Sequence, residues 1–199
     1  MFTTSINRFL HLAIFRLEDV CVRVQEGMEG YVKTAALEKS PGIEATFRWL
    51  RRRGIRVCVL SGYDRANTEI LLDRLDWEVG EDGFLQLVIL RQETKENPIE
   101  LAIENAGLLR PAMVTAILDT PRLLQCARAA KCRFVLGVTN GSHTYEALAG
   151  EPNHALLDST LQLPNFLLRH LPETEERPLT IRPIPPGEGP TSWSQPLQG

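Results

Sequence analysis

Five short apolar runs punctuate the chain, at residues 10–15, 55–60, 84–90, 113–118 and 134–138. Each has the length of a strand and carries β-branched or aromatic residues. Between them lie amphipathic stretches with helix start and stop signals. Pro41-Gly42 opens one that Gly54 closes, and Asp64 heads a second reaching about residue 76. Asn97-Pro98 starts a third that Gly107 stops, Asp119-Thr120-Pro121 starts a fourth, and a fifth spans about residues 143–148. Proline suits a first helical turn and glycine the position just past a last one. Strand, helix, strand at this spacing predicts right-handed crossovers and a mostly parallel sheet of about five strands, covered by helices on both faces. Ligands collect beyond the carboxyl ends of such strands, which directs attention to residues 16–19, 61–64, 92–95 and 119–122.

At 199 residues and 43% hydrophobic content the chain can bury one sizeable core, and its formal charge of −3 gives no general attraction for nucleic acid or an anionic membrane. The expected partners are a phosphorylated small molecule or other anion, a protein, or a second copy of the chain. Cys21, Cys58, Cys126 and Cys132 show no CxxC spacing and no His/Cys cluster, which argues for reduced thiols and a cytoplasmic location. The apolar run that begins near Phe9 is too short to span a bilayer, is followed by no small-residue cleavage site, and reads as a buried first strand. From Pro172 the composition changes: seven of the thirteen prolines lie there and apolar periodicity fades. Residues 172–199 therefore read as a flexible Pro-rich tail. Arg48, Arg51, Arg52, Arg53 and Arg56 read as a solvated helix end, because cations in a last turn complement the helix dipole.

Three longer stretches carry a resemblance. PGIEATFRWLRRRGIRVCVLSGYDRANTEILLDRLDW, residues 41–77, is similar to the second-motif segment of the phosphonatase-like branch of the haloacid dehalogenase-like hydrolases. AILDTPRLLQCARAAKCRFVLGVTNGSHTYEAL, residues 116–148, resembles their fourth-motif segment, and HALLDSTLQLPNFL, residues 154–167, looks like their closing strand and helix. The resemblance implies a three-layer Rossmannoid α/β domain over residues 1–171. Only about 20 residues, 22–40, separate the first motif from Pro41 where the family inserts a helical cap, so the cap is expected to be missing or reduced.

The family's chemistry implies an aspartate nucleophile closing the first strand, a second carboxylate two residues on, a Ser/Thr and a Lys/Arg that hold phosphate, and acidic residues for magnesium. Here the first motif reads IFRLEDV. Arg16 stands at the nucleophile position, Glu18 at the acid/base position, and Asp19 where glycine is usual. A permanently cationic guanidinium cannot form an aspartyl intermediate. Ser61, with Gly62 beside it, matches the phosphate-binding hydroxyl, Lys95 the cationic position, and Asp119 the first acidic residue of motif four. Leu118 and Leu123 stand where glycine and a further aspartate are usual.

Three readings of Arg16 stay open at this point. It pairs with Asp119 or Glu18 in place of a metal; it joins Ser61, Gly62 and Lys95 in a metal-free anion site; or Glu18 or Asp19 is recruited for residual catalysis. The resulting expectation is a catalytically inactive protein with a binding, scaffolding or regulatory role and no cofactor. The alternative is a magnesium-dependent phosphohydrolase using a displaced carboxylate. For Ser61 alone, capping of the next helix is an equal reading.

Overall fold

The computed structural model describes residues 9–23, 31–34, 36–90 and 97–171. Its centre is a six-stranded, wholly parallel sheet. In chain order the elements are β1 (Leu12–Arg16), a two-residue antiparallel pair β2 (Val22–Arg23) and β3 (Glu38–Lys39) with the one-turn helix α1 (Tyr31–Thr34) between them, α2 (Ile43–Arg51) and β4 (Arg56–Ser61). There follow α3 (Arg65–Leu75), β5 (Leu87–Leu90), α4 (Pro98–Asn105), β6 (Val114–Leu118), α5 (Pro121–Ala129), β7 (Phe134–Val138), α6 (Tyr145–Ala149), β8 (Ala155–Leu157) and α7 (Leu163–His170). The strands lie in the order β5-β4-β1-β6-β7-β8, so the order reverses at β1, which pairs on one side with β4 and on the other with β6.

The two-residue period of the strands explains the layers. On β1, Ala13 and Phe15 enter one apolar cluster with Phe47 of α2, Leu71 of α3 and Leu167 of α7. Leu12 and Ile14 enter the other, with Ile99 and Ala102 of α4 and Leu124 of α5. Val57 and Val59 of β4 follow the first face, Cys58 and Leu60 the second. A strand buried on both faces needs a continuous apolar run, which is what the sequence provides.

Helix starts fall where capping residues stand. Asp64 accepts from the Asn67 N–H, Asn97 from Ile99, and Thr120 from Leu123, with Pro98 and Pro121 in the first turns. The run at 84–90 is strand only over Leu87–Leu90, because Phe84 leaves the sheet to pack on Phe47 and Trp77 at centroid distances of 5.6 and 5.7 Å. The sixth strand, β8, is three residues long and comes from the stretch that resembles the family's closing strand. Of the basic run, Arg48 pairs with Glu44, Arg53 lies over the Trp49 ring, and Arg56 donates to the Ala106 carbonyl. Among the described residues no helix is long and apolar enough to cross a membrane.

Candidate functional site

The reversal at β1 opens a crevice beyond the carboxyl ends of β1 and β6, the place where doubly wound sheets bind ligands. Arg16 is the last residue of β1 and Asp119 directly follows β6. Its Nη1 donates to Asp119 Oδ1 at 2.9 Å and Oδ2 at 3.0 Å. Asp119 is fully buried and also accepts from the Ser142 N–H at 3.0 Å and its Oγ at 2.8 Å. Ser142 lies in the turn after β7, and Gly141 before it packs so tightly that a Cβ there would stand 2.4 Å from Asp119 Cβ. The remaining nitrogens of Arg16 face two more carboxylates: Nε lies 3.6 Å from Glu18 Oε2 and Nη2 lies 3.7 Å from Asp19 Oδ2.

Asp19 has φ 64°, in the left-handed region, which accounts for the usual glycine at this position in the resemblance; aspartate is among the few other residues that adopt it readily. The turn folds Glu18 back under the end of β4. Its Oε1 accepts from Ser61 Oγ at 3.0 Å and the Gly62 N–H at 2.7 Å. Ser61 Oγ also shares a hydrogen bond with Thr68 Oγ1 at 2.8 Å and accepts from the Tyr63 N–H. Ser61 is therefore not the cap of the next helix: Asp64 is, because Ser61 is still in the strand and its side chain points into the crevice wall.

Burial raises the Glu18 carboxyl above its usual pKa, overriding the backbone donors, the Arg16 charge and the Ser61 hydroxyl that favour the ionised form. For Arg16, burial opposes the charge, but Asp119, by charge and hydrogen bond, together with Glu18 and Asp19, outweighs it and raises the guanidinium pKa. The Glu18 shift sets a sign. The folded chain holds this proton more tightly than the unfolded one, so its contribution to stability is complete below the unfolded pKa of about 4.3 and is lost as pH rises through the raised folded value. Glu18→Gln is expected to remove that component. Melting temperatures of both proteins across a pH series check it, and parallel curves would contradict the assignment.

A cavity of about 260 Å³ adjoins the cluster. Arg16, Glu18, Ser61 and Gly62 form its polar end, and Leu60, Ile89 and Leu123 line its apolar wall. Of the residues singled out in the sequence, Arg16, Glu18, Asp19, Ser61, Gly62 and Asp119 converge here; Lys95 lies outside the described residues, as does the tail 172–199. Thr68, Gly141 and Ser142 were not singled out. The strand-end rule applied to the fifth apolar run as well as to the other four would have reached Gly141 and Ser142.

Magnesium asks for near-octahedral oxygens at about 2.0–2.1 Å, usually with anionic anchors. Both Asp119 oxygens are taken by Arg16, Oδ2 also by Ser142, and a permanent cation already stands against them. Among the described residues no three His, Cys, Asp or Glu side chains converge closely enough to hold a metal ion. The residues present do not fit magnesium.

No family model matches the chain, and no curated protein matches it in sequence. Solved structures do match in fold, and the fold they define is that of the haloacid dehalogenase-like hydrolases and phosphatases. A protein described as a haloacid dehalogenase-like hydrolase from Bacteroides fragilis aligns with TM-score 0.63 and 16% identity over 77% of this chain and 99% of its own. The cobalt-bound deoxy-D-mannose-octulosonate 8-phosphate phosphatase from Haemophilus influenzae aligns with TM-score 0.61 and 17% identity over 83% and 90%. A haloacid dehalogenase-like family hydrolase from Streptococcus pneumoniae gives TM-score 0.62 and 12% identity over 80% and 99%.

Proposed function

We propose that this chain is a non-catalytic relative of the phosphonatase-like hydrolases, with residues 22–40 as a reduced cap, acting in the cytoplasm as a binding or scaffolding protein. The observation that carries the reading is the Arg16–Asp119 pair, at 2.9 Å, at the position where the family that the chain resembles uses a carboxylate nucleophile. A guanidinium neither attacks phosphorus nor leaves Asp119 free to anchor a metal. The geometry favours a scaffold over a phosphate receptor: all three Arg16 nitrogens face carboxylates, and the Ser61 and Gly62 donors serve Glu18. A phosphate that used the Ser61 and Gly62 donors would have to displace Glu18.

The test is turnover of an aryl phosphate, with and without magnesium, by the wild type and by Arg16→Asp, with melting curves to confirm that both are folded. The wild type is expected to be silent. Any magnesium-dependent gain in Arg16→Asp indicates a scaffold that lost only its nucleophile, whereas turnover by the wild type overturns the reading.

One observation supports the enzyme alternative: the Glu18 carboxylate reaches Ser61 Oγ at 3.0 Å. Against it, Glu18 Oε1 consumes both donors that a phosphate oxygen would use. Wild-type turnover abolished by Glu18→Gln would select that alternative.

A further inference from the structure

The central sheet has two edges, and the sequence treats them differently. Beside β8 stand Glu151, Pro152 and Asp158, residues of the kind that discourage a further strand from pairing. The β5 edge carries no such guard: from Gly83 to Leu90 the sequence reads GFLQLVIL, without a charge or a proline. The backbone groups along it alternate in direction. Gln86 donates its N–H inward, to the Val57 carbonyl at 2.9 Å, whereas Leu85 faces outward, donating to the Glu78 carbonyl at 3.0 Å and accepting from the Gly80 N–H at 2.9 Å. The chain thus lays a short segment of its own along this edge, but only as far as Leu85. By the same alternation the N–H and C=O of Leu87 and Ile89 turn outward, and among the described residues no backbone group meets them there. Val79, in the segment that covers Leu85, is 49% exposed and extends the apolar border.

We propose that this edge is a pairing site for a second copy of the chain, joined β5 to β5 in antiparallel about a two-fold axis at Val88. The row is complementary to itself in charge. Turned through the axis, Leu87 of each copy stands opposite Ile89 of the other, so every outward N–H meets an outward C=O and each pair exchanges both of its hydrogen bonds. No charged side chain of β5 meets its own image across the axis. The two six-stranded sheets then run on as one, held by main-chain hydrogen bonds. The paired stretch is short, and stable interfaces bury about 1,200–2,000 Å² in total, so the dimer is expected to be weak and dependent on concentration. The proposal goes beyond the non-catalytic reading and stands whether or not the crevice turns over substrate.

Sedimentation equilibrium on the full chain tests it. The average mass is expected to rise from 22.4 kDa toward twice that value between micromolar and millimolar concentration. Val88 is half-buried, and its image lies directly across the axis. Val88→Lys and Val88→Glu are therefore each expected to stay monomeric through like-charge repulsion, and an equal mixture of the two is expected to associate again. Amide exchange followed by NMR on the wild type needs no variant. The Leu87 and Ile89 amides are expected to slow as concentration rises, while Val88, whose N–H turns inward to β4, keeps its rate. A wild type that stays monomeric at every concentration overturns the proposal and leaves the edge to a strand of another protein. Val88→Lys dimers as strong as those of the wild type, a mixture that stays monomeric, or Leu87 and Ile89 amides that ignore concentration overturn it as well.

Discussion

Arg16→Met is expected to unfold on the order of 3–5 kcal/mol more easily than the wild type, because it strands a carboxylate that has no access to water. Asp119 is fully buried, and after the change only the Ser142 N–H and hydroxyl would face its charge. Methionine keeps much of the arginine volume, so the loss reports charge more than packing. The consequence reaches further than one variant. Adding Asp119→Asn to Arg16→Met is expected to return a large part of the loss, since the second change removes the stranded charge, and the pair should be strongly non-additive. Denaturant unfolding of the four proteins of the cycle measures this. Additive losses would show that the two side chains contribute independently and that the contact is incidental.

Phe47→Ala is expected to cost about 3–5 kcal/mol in the same assay. Phe47 is fully buried and packs against three rings: it meets Phe15 edge-on at 4.9 Å and Trp77 at 5.4 Å, and Phe84 lies at 5.6 Å. None of these neighbours can fill the space easily. Phe15 is held in β1, and Trp77 is fixed by a hydrogen bond from its indole nitrogen to Glu44. Because Phe15 immediately precedes Arg16, the hole would lie beneath the end of the strand that carries the guanidinium. A loss below about 1 kcal/mol would mean that the aromatic group collapses freely, contrary to the ring geometry.

The framework was legible in the sequence because parallel strands buried on both faces leave apolar runs; β6 and β7 lie within such runs, and β1 and β4 overrun theirs by one residue, Arg16 and Ser61. Cap chemistry placed the helices well: Asp64, Asn97 and Thr120 are N-caps, as their positions ahead of amphipathic stretches suggested. The aromatic run at 84–90 misled, because Phe84 has strand propensity but finds a better partner in Phe47 than in the sheet. Within the site, the convergence of Arg16, Glu18, Ser61 and Asp119 followed from strand ends alone. What the sequence left open was which partner each side chain takes. That choice depends on the turn at Asp19, whose left-handed backbone swings Glu18 toward Ser61 and Gly62, and no residue pattern distinguishes that turn from one that leaves Glu18 facing solvent. Ser142 was missed because its role comes from the close approach of Gly141 to Asp119, a contact between segments about 20 residues apart.

The Arg16–Asp119 contact joins the two halves of the sheet across its point of reversal, with a cation that is part of the backbone's own cargo. An ion drawn from solution occupies such a joint only to the extent that its free concentration exceeds its dissociation constant. A tethered one has a local concentration fixed by the length of its side chain, which no chelator or change in ionic supply can dilute. The joint in this protein is therefore constitutive. It is assembled when the chain folds, from groups that the chain itself supplies.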